Sequence, residues 1–196
     1  MKKKKTWNVI NCSDIHYIGI DYSYTSPAIC ILKNNFKDSQ FYYANYNKVL
    51  NNTPNIVGYK LDSVLKETER YDEIARWAYN IIKPFKNTCI VGLEGYSFGS
   101  SKSLVFNIAE NVGILKFYLF TLGIKPIIIA PTTNKKFFSG SGRSNKEDMR
   151  QALIQREGVD IVDYMQLKTL KSPAHDIVDS YALSLCVKKA FNNKGI

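Results

Sequence analysis

The sequence predicts an α/β fold: a mixed five-stranded sheet, three antiparallel strands then two parallel ones, with helices on both faces. Three observations carry this. Apolar runs at 16–21, 27–33 and 40–46 follow one another across short polar or Pro-containing links, as in an antiparallel meander. Apolar runs at 88–94 and 125–131 are separated by a segment of helical periodicity, so they need a crossover and pair in parallel. Between and after them, apolar residues recur every three or four positions.

The elements follow in order. "YIGID" is a buried strand that ends on a carboxylate, Asp21, and "PAICILK" and "QFYYANY" are the second and third strands. Residues 34–62 are loop-rich and carry no further element in this reading. A helix over 63–83 uses Leu65, Tyr71, Ile74, Trp77, Ala78 and Ile81, and Pro84 marks its exit. "TCIVGLE" is apolar throughout, which suits an interior strand covered on both faces. A helix over 102–122 follows, with a stripe of Leu104, Ile108, Val112, Leu115 and Leu119 and a stop at Gly123. Phe106, Phe117, Tyr118 and Phe120 make it apolar nearly all round, so it is either buried or in contact with a partner, and a second copy across a two-fold axis is the expected one. "KPIIIAP" is the fifth strand, and 132–144 reads as a Gly- and Lys-rich loop. Ser144 is expected to cap a helix to about 157, with Glu147 closing a capping box. The last helix spans about 174–190.

At 196 residues the chain fits a basic N-terminal arm, 1–15, and one domain, 16–196. The net charge of +10 calls for a polyanionic partner. A membrane is disfavoured, because Lys116, Lys125 and Pro126 interrupt the longest apolar region. The "MKKKK" start reads equally as a phosphate-touching arm or a solvated charge run. Cys12, Cys30, Cys89 and Cys186 are far apart and form no Cys-x-x-Cys pair, so zinc and a disulfide framework are disfavoured and a reducing, intracellular compartment is expected.

The acids then stand out. Asp21 ends the first strand and Glu94 the fourth, while Asp176 and Asp179 lie three apart on one face of the last helix. Singly, each has an ordinary reading: Asp21 opens a turn, Glu94 ends a strand, Asp176 is a first-turn acid. Jointly, neighbouring strands would end Asp21 beside Glu94, and a helix packed across them would add the other two. Four such acids stay ionised only with cations among them. Oxygen-only ligation suits Mg²⁺ or Mn²⁺. Two ions about 4 Å apart fit a site that hydrolyses a phosphodiester.

The order Asp, Glu, Asp-x-x-Asp on these elements resembles the RNase H-like superfamily, and within it the RuvC-type Holliday junction resolvases with their phage and viral relatives. "GID", "VGLEGYSF" and "HDIVDSYALSLC" are similar to the family's three acidic motifs, so the resemblance implies Asp21, Glu94, Asp176 and Asp179 as metal ligands. "PTTNKKFFSGSGRSNKEDM" resembles its Pro, Lys, Gly-x-Gly, Lys segment, which implies Lys135 and Lys146 near the scissile phosphate. Tyr22 and Ser23 depart from the family's Asp-x-Gly. Some members carry His at the third acid position, and His175 precedes Asp176; the spacing to Asp179 favours Asp176.

The remaining candidates are for DNA. Lys102, Lys135, Lys136, Arg143 and Lys146 would neutralise phosphates, with Gly140 and Gly142 letting the backbone approach. For Lys136 and Arg143 a solvated loop is an equal reading. Tyr96 and Phe98 would stack on unpaired bases or pack into the core. The reading as a whole is a homodimeric Mg²⁺-dependent endonuclease, with Mn²⁺ able to substitute and two ions per site, that cuts branched DNA at four-way junctions. The alternatives are another RNase H-like nuclease acting on flaps or RNA–DNA hybrids, and a junction-binding protein without catalysis.

Overall fold

The computed structural model describes residues 15–47, 49–50, 53–96 and 102–193. Most of the expected basic arm and Cys12 lie outside them. The strands are β1 (His16–Asp21), β2 (Ala28–Ile31), β3 (Gln40–Asn45), β4 (Ile56–Lys60), β5 (Cys89–Glu94) and β6 (Ile127–Ile129). The helices are α1 (Glu67–Ile82), α2 (Lys102–Thr121), α3 (Pro131–Ser139), α4 (Lys146–Glu157), α5 (Ile161–Tyr164) and α6 (Ala174–Asn192).

The sheet has six strands in the order β4-β3-β2-β1-β5-β6, not the expected five. β1, β2 and β3 pair antiparallel, and β5 and β6 continue from β1 in parallel, as the crossovers require. The additional strand, β4, pairs parallel to β3. It is an edge strand, with Ile56 buried and Val57 and Tyr59 facing solvent. That weak burial left it without an apolar signature.

Two more differences follow from capping. The segment expected as a loop after β6 begins with α3. Pro131 sits in its first turn, where a missing N–H costs nothing, and Gly140 ends it at φ +89°. The cap of α4 is Asn145, not Ser144. Its side chain accepts from the backbone N–H groups of Glu147 and Asp148, and Asp148, not Glu147, returns the bond.

One face of the sheet carries α3 to α6, and the other carries α1 and α2, each with its own apolar core. Tyr118 turns out to belong to the α1 side. Its hydroxyl donates to Asp72 at 2.5 Å, which leaves Phe106, Phe117 and Phe120 as the exposed aromatics of α2. α6 lies directly on β1. A Cβ on Gly19 would sit 2.2 Å from the Ser180 carbonyl oxygen and 2.4 Å from the Ser184 nitrogen, so only glycine allows this approach.

Candidate active site

The parallel register of β1 and β5 pairs Gly19 with Gly92 and Ile20 with Leu93, so Asp21 and Glu94 leave the sheet side by side. α6, seated on β1, brings its first two turns to the same end. Asp21 and Asp176 are buried, and Glu94 and Asp179 are half-buried.

The carboxyls feel one another. Burial, and then the charges of Glu94, Asp176 and Asp179, push the Asp21 pKa well above the usual carboxylate range. Burial also raises Glu94, against the hydrogen bond from Asp21 and the charge of Lys135. Asp179 is pushed up to about 7 by burial and by the Glu94 and Asp176 charges, with the Lys135 charge opposing. A cation among these acids would offset the repulsion that raises them. The donors are all carboxylate oxygens, which fits a hard divalent ion. Among the described residues no three acidic, histidine or cysteine side chains are already closed into a metal-ligating cluster.

The basic residues separate. Lys135, half-buried on α3, is the lysine whose charge reaches Glu94 and Asp179. Asn134 beside it is buried and donates to the Asp179 carbonyl at 3.3 Å, joining α3 to α6. Lys146 lies at the start of α4, its Nζ 2.7 Å from His175 Nε2. Lys136 and Arg143 are exposed. Phe98 and the side chain of Lys102 lie outside the described residues.

A cleft of about 320 Å³ opens beside Asp21 and Glu94, walled by Tyr24, Tyr96 and Asn107. Tyr96 is exposed rather than packed in the core, and its ring has the Lys116 ammonium 5.3 Å away. Tyr24 is braced from α1. Arg70 Nη1 donates to its hydroxyl at 2.7 Å while the guanidinium lies over its ring.

Sequence reasoning missed two residues that reach an acid. Ser26 and Ser172 both donate to Asp176 Oδ2, at 2.7 and 2.6 Å. Each precedes a proline, but nothing in the sequence pairs them.

No protein-family model and no curated protein matches the chain. Solved structures do. RuvC of Thermus thermophilus superposes with a TM-score of 0.59 at 17% identity, covering 92% of this chain and 97% of that one. The same protein in complex with a Holliday junction substrate gives 0.60 at 16%, covering 91% and 96%. The yeast mitochondrial Holliday junction resolvase gives 0.51 at 13%, covering 93% and 85%. At these identities the likeness is one of fold. The chain has the RNase H-like fold of these resolvases, in agreement with the family its motifs resemble.

Proposed function

We propose that this chain is a divalent-metal-dependent endonuclease acting on branched DNA, with four-way junctions as its preferred substrate. One observation carries the reading: β1, β5 and α6 deliver four carboxyls to one end of the sheet, where burial and neighbouring acidic charge raise the pKa of Asp21, Glu94 and Asp179, with Lys135 beside them. Asp21, Glu94, Asp176 and Asp179 would hold Mg²⁺ or Mn²⁺. Bound ions of this kind supply water activation and stabilise a leaving phosphate oxygen.

The chain's own residues do the rest. Lys135 places a fixed positive charge next to the acids, where negative charge builds up on a phosphate in the transition state. The cleft between Tyr24 and Tyr96 offers an aromatic surface to an unstacked base. The +10 net charge draws the DNA in, and the exposed Lys136 and Arg143 can bind its backbone without base preference. The exposed Phe106, Phe117 and Phe120 of α2 support a two-fold dimer, which would set two sites on one junction.

The likeness in fold to resolvases favours a junction over the other branched substrates. The test is a cleavage assay on four-way junction, flap, RNA–DNA hybrid and plain duplex with Mg²⁺, Mn²⁺, Ca²⁺ or EDTA. Paired nicks in the junction with Mg²⁺ or Mn²⁺, and none with EDTA, are expected. Preferential cutting of hybrid or flap would reassign the substrate, and cutting in EDTA would remove the metals from the mechanism.

A further inference from the structure

Asp176 is held by donors on both of its oxygens. The Ser26 and Ser172 hydroxyls lie against Oδ2 at 2.7 and 2.6 Å, and their oxygens also touch each other. Whichever way the two protons are shared, two oxygens fill the approach to Oδ2. On the other side, His175 Nδ1 lies 2.9 Å from Oδ1. The far ring nitrogen meets the Lys146 ammonium, which can only donate. Nε2 therefore accepts, and the ring proton sits on Nδ1, aimed at Asp176. A carboxylate offers about four lone-pair directions. Two are covered at Oδ2 and one is used at Oδ1, which leaves a single open direction on Oδ1.

We propose that Ser26, Ser172 and the Lys146–His175 pair form a supporting shell that presents Asp176 to a divalent cation through Oδ1 alone. Lys146 is thereby a positioning residue acting through His175, while Lys135 is the lysine beside the reacting phosphate. The division contrasts with the equal roles that the motif resemblance gives the two lysines. It rests on the metal-centre reading above.

Removing a partner that orients a metal ligand typically weakens metal binding roughly 10- to 100-fold. Calorimetric titration of Mn²⁺ into the DNA-free full chain tests this, with thermal unfolding run alongside to confirm the fold. Lys146 is exposed, so Lys146→Met should fold normally. Lys146→Met and His175→Phe should each weaken Mn²⁺ binding about tenfold. The double variant should be no weaker than His175→Phe, because the two act in series. Lys146→Arg, which keeps a donor for Nε2, should restore binding. Ser26→Ala and Ser172→Ala should weaken it in the same direction. Unchanged Mn²⁺ affinity in Lys146→Met, or losses that multiply in the double variant, would overturn the inference while leaving the nuclease reading intact. A wild-type chain that binds no Mn²⁺ would overturn the metal centre itself.

Discussion

Replacing Gly19 with alanine should separate the two halves of the proposed active site. The new Cβ would lie 2.2 Å from the Ser180 carbonyl oxygen and 2.4 Å from the Ser184 nitrogen, where ordinary contact begins at 3.4 Å. Both are backbone atoms of α6 and cannot rotate away. To reach ordinary contact, the helix has to lift by about 1.2 Å, the difference between 3.4 and 2.2 Å. Overpacking of this kind costs about 1–3 kcal/mol, and a clash with backbone belongs at the upper end. The lower entropy of the unfolded alanine chain returns about 0.4–1 kcal/mol. The net is about 2 kcal/mol, or a fall in Tm of roughly 4–8 °C for a chain of this size. Activity should suffer more. Asp176 and Asp179 move with α6 while Asp21 and Glu94 stay on the sheet, and a 1 Å misplacement can cost about 100-fold in rate. Gly92→Ala is the control. Its Cβ would meet the Val187 side chain at 3.1 Å, a contact that yields by a few tenths of an ångström. Thermal unfolding and junction-cleavage rates for both variants decide the matter. A Gly19→Ala protein with wild-type Tm and rate would refute the claim that this contact sets the position of the acids.

Other outcomes follow from the same geometry. Asp21→Asn and Glu94→Gln should each reduce Mg²⁺-dependent cleavage beyond the roughly 10–100-fold typical of changes to an outer partner, with junction binding retained in a gel-shift assay; retained cleavage would remove these residues from the site. Asp179 holds its proton to about pH 7 in the folded chain, against roughly 3.9 when unfolded. The folded state thus binds the extra proton between these values, so the stability of metal-free protein should fall as pH rises from about 4 to about 7. Asp179→Asn should flatten that slope in urea titrations, and an unchanged slope would contradict the assignment. Phe117→Asp should sediment as a monomer at concentrations where the proposed wild-type dimer is expected; identical profiles would remove α2 from the proposed interface.

What could be read from the sequence follows the depth of burial. β1 and β5 are interior strands whose runs are apolar almost throughout, so their boundaries and terminal acids were legible. Asp176 and Asp179 were legible because a helical repeat puts positions three apart on one face. β4 was not, since only Ile56 of its five residues is buried and the rest has no reason to alternate. α3 was hidden by composition: lysines, threonines and serines suggest a loop, while its markers, Pro131 and Gly140, lie at the ends. The hold of Ser26 and Ser172 on Asp176 could not be read at all. The two serines are 146 residues apart, and no local pattern records that the chain returns.

The dependence of the acidic centre on α6 also has a bearing on biosynthesis. Ser26 and Asp176 are 150 residues apart, so at about 5–20 residues per second a ribosome needs roughly 8–30 s to supply the second after the first. Through that interval Asp21, joined part-way by Glu94, exists without its helical counterparts, and β1 lacks the cover of α6. On the proposed function, a nascent chain should therefore be harmless to nearby DNA, and its uncovered β1 should make it a good client for chaperones. The proposed site would assemble abruptly, when α6 has been made and docks on β1.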